Sequence, residues 1–461
     1  MLKSRLDRRG EFGGGVGLAY HFPVPVSRKR KKTRKSSRKS RLETHTWRGG
    51  PIDQQRELAA AMAGFGEYRR QMDERRASLA AAAAMPVIAE LVGLAATRSD
   101  SDLEDELCVR IGRTLTELDD APIDKHVGPN TFADAVTAAA AKAVVTALDG
   151  EVDGWTHAWR VLTAVTGILN YPLSGRAVKS IDDLRAQPGG DRLPQMPTGP
   201  TITGPVLWTR DAYGSRFGVA APFRTADGPD RWYLWDIDGC ADAFTVHSRY
   251  HATPAEALAD WQSGVGAPAA DETVFTPVDD PRLLDDLMPR EQGMLRPGGE
   301  NVEQLAEYHR SKRLAEAVLD AIEPAHPHRT SARADLGRTT AAPLFAAWLR
   351  EHRPDRSGPA DLEELVTELA DSWHIGESGH FYHTCSPHRV ALAVEHIRGY
   401  YQDDFAADLI ALLPDWTAWL ADRNATPARL ADRCRPYAHG ESHKAGSADD
   451  GRSDYLARTA E

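Results

Sequence analysis

Cysteine is scarce in this 461-residue chain: the four residues Cys108, Cys240, Cys385 and Cys434 lie far apart, and none forms a CxxC pair. That excludes a disulfide framework and the common ribbon-type zinc motifs, and it fits a reduced, cytoplasmic setting. Long apolar runs are also lacking. No stretch near the N-terminus has the length of a secretory h-region. The least polar run, residues 79–96, is mostly alanine and contains Pro86 and Glu90, so it makes a poor membrane span and no membrane contact is expected. There is no P-loop and no GxGxxG, and no serine sits in a nucleophile-elbow setting with histidine and acid nearby. Lysine is little used beside arginine, alanine and aspartate, which is the codon bias of a GC-rich genome. An apolar fraction of 41% and a charged fraction of 27% are those of a globular protein.

Charge is unevenly divided. The chain carries a net −11, yet residues 1–41 hold 14 Lys/Arg against two Asp/Glu, a local +12 that leaves −23 for the remainder. An acidic body repels nucleic acid, so any polyanion must be met by the arm. Residues 1–50 have almost nothing to bury and read as a disordered basic arm. Val26, directly before the basic block, is a candidate translation start, since valine codons serve as bacterial starts.

Along the chain, helical patterns come before and after one β-rich stretch. Residues 51–190 read as a helical domain. Its expected helices are 52–84, ended or kinked by Pro86; one opening at Ser101 with the capping box Ser101-Asp-Leu-Glu104, which includes Cys108 in its apolar stripe; then 131–148 and 155–170. Residues 194–200 read as linker. Residues 204–263 carry short β-branched and aromatic runs separated by turns at 211–215 and 226–230, a meander of three or four antiparallel strands. It is followed by a helix capped by Thr253, with Pro254 at its first position and Glu256 at its third. Residues 280–436 read as a second helical domain: 302–322, 343–351, 361–373, 387–401 and 405–422, with a break at Pro414, and a last short helix opened by Thr426-Pro427. Residues 437–461 read as a flexible tail. The fold class is α+β, mostly α-helical, with a small antiparallel β-meander between two helical domains. Tryptophans at helical spacing, Trp155/Trp159 and Trp416/Trp419, read as core.

Three stretches carry possible chemistry. The first is the basic block Arg28, Lys29, Arg30, Lys31, Lys32, Arg34, Lys35, Arg38, Lys39 and Arg41, ten cations in fourteen positions. Such a segment neutralises phosphates of nucleic acid or ribosome without reading sequence. Its bland reading is a solvated extension that acts on solubility alone.

The second is Trp235-Asp236-Ile237-Asp238-Gly239-Cys240, which resembles the first motif of haloacid dehalogenase-type phosphatases. The resemblance implies Asp236 as nucleophile and Asp238 as acid and base beside magnesium. The sequence departs from that pattern: the motif closes a meander instead of opening a parallel fold, and Cys240 replaces the usual threonine or valine. Later partners reduce to Lys312, Lys444 and Asp279-Asp280. Read without the family, Asp236 to Gly239 is a strand end and an Asp-Gly turn.

The third, residues 374–388, holds His374, Glu377, His380, His383, Cys385 and His388. Imidazole and thiolate are zinc ligands, and His380, His383, Cys385 and His388 have workable spacing, with Cys434, His439 and His443 as a further set. Neither set matches a standard zinc finger. Ser386 has a structural role as N-cap of a helix opened by Pro387. No cofactor other than such a zinc is expected.

The segments Asp211-Ala-Tyr-Gly-Ser-Arg-Phe-Gly-Val-Ala-Ala-Pro-Phe223, Trp232-Tyr-Leu-Trp-Asp-Ile-Asp238 and Cys385-Ser-Pro-His-Arg-Val390 are similar to segments of uncharacterised actinobacterial proteins. Those pair a basic N-terminus with a helical body and a small sheet, and the resemblance implies architecture and no activity. The reading that follows is a cytoplasmic binding or adaptor protein whose arm contacts nucleic acid non-specifically. The alternative is a metal-dependent hydrolase or phosphatase using the 374–388 cluster or Asp236/Asp238.

Overall fold

A computed structural model describes residues 51–119, 126–149, 154–196, 199–225, 228–240, 243–278, 284, 286–288, 301–322, 338–356, 362–373, 382–441 and 455–456, with the backbone alone for 51–65 and 338–339. The basic arm, His374, His380 and His443 lie outside the described residues. The described residues form twelve α-helices and one five-stranded antiparallel sheet, so the chain is α+β and mostly helical, as expected.

Five helices come first: α1 (Pro51–Leu94), α2 (Asp100–Asp119), α3 (Pro129–Leu148), α4 (Trp155–Ile168) and α5 (Leu173–Arg185). They share one core, which includes Leu91, Leu107, Phe132, Val136, Leu162 and Ile181. Helix α5 was not anticipated. Helix α1 runs through Pro86, so of the two outcomes expected there the helix does not end. Pro86 and Ala82, whose carbonyl loses its partner, are both exposed, so the freed carbonyl lies on the solvent side of the helix. The expected cap of α2 is corrected. The cap of α2 is Ser99, whose hydroxyl accepts from the Asp102 amide at 3.1 Å, two residues earlier than the capping box proposed at Ser101. Glu104, freed from that box, faces Arg310 at 3.6 Å. Two helices, 66–94 and 129–148, are long and apolar enough by length and composition to cross a membrane. The apolar stripe of α3, from Phe132 to Val144, is spent inside the bundle core.

The sheet comprises β1 (Leu207–Arg210), β2 (Arg216–Phe223), β3 (Arg231–Asp238), β4 (Phe244–His251) and β5 (Thr276–Pro277) in the order β4-β3-β2-β1-β5. The first four are the anticipated meander. β5 lies beyond its expected end, in a segment whose low apolar content suits an exposed edge. Strands β2 and β3 are buried on both faces, which is why they read as nearly continuous apolar and aromatic runs. One face, with Phe217, Val219, Tyr233, Trp235 and Ile237, packs on Leu314, Val318 and Leu319 of α7 (Val302–Ile322), numbered after α6 (Pro254–Val265).

The other face receives α6 and the C-terminal helices, where Leu234 and Trp261 join Phe345, Trp373 and Trp416 in one core. Gly218 makes this possible, because a Cβ there would stand 3.0 Å from the Trp261 ring. Helix α6 starts as expected, with the Thr253 hydroxyl accepting from the Glu256 amide at 3.2 Å.

Helix α7, grouped by sequence with the C-terminal helices, contributes Leu305 to the N-terminal core and clamps the sheet against that bundle. At Gly112 of α2 the two helices touch backbone to backbone: an added Cβ would lie 2.4 Å from the Val302 carbonyl oxygen. A buried polar joint locks the contact. Tyr233 donates to Glu307 at 2.7 Å, Arg310 pairs with Glu307 and Asp105, and Arg231 reaches Asp105 at 2.8 Å.

The remaining helices are α8 (Arg338–His352), α9 (Leu362–Trp373), α10 (Pro387–Tyr400), α11 (Asp403–Arg423) and α12 (Ala428–Ala438). Helix α11 does not break at Pro414. The Thr417 hydroxyl takes the Pro414 carbonyl at 3.1 Å, and the apolar face on both sides of the proline is anchored by Leu413 and Trp416 in the core. The expectation of a flexible tail is corrected at Tyr455, which is wholly buried.

Candidate functional site

The three segments singled out by resemblance converge at one end of the sheet. Register sets Arg216 of β2 opposite Asp238 of β3, and Gly218 opposite Asp236. Side chains opposite one another on antiparallel strands share a face. The Arg216 guanidinium therefore lies between the two carboxylates: Nε meets Asp236 Oδ1 at 2.7 Å, Nη2 meets Asp236 Oδ2 at 3.1 Å, and Nη1 stands 3.6 Å from Asp238 Oδ2. Arg216 and Asp236 are 0% exposed and Asp238 is 7% exposed. This is a two-pronged buried ion pair with a second acid attached.

The turn after β1 supplies Asp211, whose Oδ1 accepts from the amides of Ser215 at 2.8 Å and Arg216 at 3.0 Å. Beyond β3, the Cys240 amide donates to Asp238 Oδ1 at 2.7 Å, and the Gly239 amide donates to the Ser215 carbonyl at 2.8 Å. The first turn of α10 closes the opposite side. Ser386 caps it as expected, accepting from the Arg389 amide at 3.2 Å, and its hydroxyl lies 3.4 Å from the Cys240 sulfur. His388 Nε2 meets Asp238 Oδ2 at 3.2 Å. Arg389 turns to the carbonyl of Trp373 and the hydroxyl of Thr384, both at 3.1 Å. Tyr455 seals the cluster: its hydroxyl donates to Asp211 Oδ2, and its ring lies under the Arg216 guanidinium at 4.8 Å and edge-on to His388 at 5.5 Å.

Electrostatics follow from burial and partners. Desolvation alone would raise the Asp238 carboxyl, but His388 and then Arg216 outweigh it and hold it below the usual carboxylate range. Asp211 has no full cation of its own. Burial pushes it up to about 6, against the bonds from Tyr455, Arg216 and Ser215. Burial, followed by the charge of Asp238, pushes the Cys240 thiol well up, so it stays protonated and is a poor nucleophile. Arg216 loses by desolvation and gains more from Asp236 and Asp238, which keep it charged.

Of the residues nominated from sequence, the structure brings Asp236, Asp238 and His388 into this one cluster. It separates the others among the described residues. His383 packs edge-on between Tyr382 and Trp419. Cys385 turns to Cys434, sulfur to sulfur at 4.0 Å, and neither joins His388. His439 ends α12 and lines a shallow groove of about 730 Å³ with Arg398, Asp403, Ile410 and Pro414, which shares no residue with the cluster.

As a nucleophile Asp236 is poorly placed: both its oxygens are held by Arg216 and none of its surface is open. Sequence reasoning missed the roles of Asp211, Arg216 and Tyr455. The signal that could have found the first two is a polar Asp-x3-Ser-Arg turn opening an otherwise apolar strand. For Tyr455 no local signal exists.

A second polar cluster lies on β4, where His247 Nε2, Arg249 Nε and His251 Nε2 stand 3.3, 3.2 and 3.3 Å from Asp260 Oδ2 of α6. Both imidazoles and the guanidinium converge on one carboxylate oxygen that ties β4 to α6. The cluster is an ionic clamp joining α6 to the edge strand. Comparison of the chain with known proteins returns no match to any family model, curated sequence or solved structure.

Proposed function

We propose that this chain is a cytoplasmic binding or adaptor protein whose basic arm, Arg28 to Arg41, contacts nucleic acid or ribosome without sequence preference. The observation that carries the reading is the charge division: +12 in residues 1–41 against −23 in the rest. The body is self-repelling towards polyanions and the arm is attractive, so contact is confined to a segment that tracks phosphates and has no aromatic with which to read bases.

The buried cluster lends support from the other side, because the carboxylates that a phosphatase would use are committed to Arg216 and His388 inside a core sealed by Tyr455. The test uses two assays. Binding of the intact protein to random-sequence DNA and RNA should be present at low salt and lost on deleting residues 1–41. Turnover of a generic phosphate ester should be no different in Asp236→Asn. Binding that survives the deletion, or turnover that the substitution abolishes, would replace this reading with the enzymatic one.

A further inference from the structure

We propose that Asp238, Cys240 and His388 form a structural site for a thiophilic divalent cation, Zn²⁺ being the type case. Of the set the sequence suggested, His380, His383, Cys385 and His388, this site shares only His388. It does not rest on the nucleic-acid reading.

The three ligand atoms, one carboxylate oxygen, one sulfur and one imidazole nitrogen, all lie within 4.8 Å of one another, and all three residues are buried. Metal–ligand distances of about 2.0–2.3 Å in a tetrahedron set ligand atoms about 3.3–3.8 Å apart. The His388 Nε2 to Asp238 Oδ2 separation, 3.2 Å, is already near that edge length. Ser386 Oγ lies 3.4 Å from the Cys240 sulfur and orients it as the cap of α10. Imidazole, thiolate and carboxylate together select zinc-like ions over magnesium or calcium.

The surroundings are those of an oriented metal site. Asp238 Oδ1 is pinned by the Cys240 amide, which turns Oδ2 towards His388 and the centre. Arg216 steadies the same oxygen at 3.6 Å and is itself fixed by both oxygens of Asp236, an outer layer of the kind that holds ligating carboxylates in place. Tyr455 closes the cluster, so an ion enters during folding and has a structural role.

The experiment uses the full chain produced in medium supplemented with Co²⁺, a spectroscopic stand-in for Zn²⁺. We expect about one cobalt per chain and a thiolate-to-cobalt charge-transfer band, with the band lost in Cys240→Ser and kept in the double variant Cys385→Ser/Cys434→Ser. Circular dichroism checks that each variant is folded. If Cys240→Ser does not fold, the Cys385→Ser/Cys434→Ser variant decides the matter, since a band lost there overturns the proposal. Wild-type protein with no stoichiometric metal and no band overturns the proposal. So does a band that survives Cys240→Ser, or one that depends on Cys385 and Cys434 or on His380.

Discussion

Removing Arg216 should be among the most damaging single changes available to the sheet. Arg216→Met keeps most of the side-chain volume but takes away both bonds to Asp236, the approach to Asp238 and the stack on Tyr455. It leaves Asp236 ionised at 0% exposure with its main counter-ion gone. Breaking one side of a buried pair costs about 3–5 kcal/mol, whereas replacing both sides by apolar groups is close to neutral. Arg216→Met and Asp236→Leu should therefore each cost about 3–5 kcal/mol, and the double variant, left only with Asp238 short of one partner, should cost less than the two together by more than about 3 kcal/mol. The chain holds more than one core, so global unfolding need not be two-state. Amide hydrogen exchange in β2 and β3 reports the stability of the sheet itself. Additive costs, within about 0.5 kcal/mol, would mean that the two residues are not the coupled pair described.

Asp211→Asn should stabilise the protein at neutral pH. The folded value of Asp211, about 6, lies above its ordinary 3.8, so its contribution is most favourable below pH 4 and is lost as pH rises through 6. A shift of this size corresponds to about 3 kcal/mol, and an amide that still accepts from Ser215 and Arg216 should recover about 1–3 kcal/mol at pH 7.5. Denaturant titrations at pH 5 and 7.5 should show the gain shrinking at the lower pH, and a gain that grows there contradicts the sign. Gly218→Ala should cost about 1–3 kcal/mol through overpacking against Trp261, seen as a lower unfolding midpoint; an unchanged midpoint would mean α6 is not seated on that strand. Tyr455→Phe keeps the ring over Arg216 but deletes the hydroxyl bonded to Asp211, for about 1.5–3 kcal/mol. A neutral result in the same titration would place Tyr455 outside the cluster.

Much of the architecture was legible because local signals and tertiary context agree. The strands announce themselves through aromatic and β-branched runs, and the caps at Thr253 and Ser386 sit where serine or threonine precedes proline. Sequence failed where context overrode local preference. Pro86 and Pro414 lie inside helices whose other residues are held by packing, and Ser99 caps α2 in place of Ser101 while Glu104 faces Arg310. Helix α7 looked like its C-terminal neighbours, but Gly112 admits it to the N-terminal bundle, a pairing across nearly two hundred residues that no window can see.

The candidate site was half legible. Asp236, Asp238 and His388 were each noticed, in separate motifs and for separate chemistries, while the register that joins them through Arg216 is a property of the folded sheet. Tyr455 arrives from the far end of the chain and carries no pattern at all.

The direct test of the binding reading is the salt dependence of affinity for random-sequence duplex DNA, intact chain against a chain lacking residues 1–41. Each phosphate neutralised contributes about −0.9 to the slope of log K against log salt. Engagement of most of the ten basic residues should give a slope of roughly −6 to −9, and the shortened chain should not bind. A slope near zero, or equal binding by the shortened chain, would contradict the account.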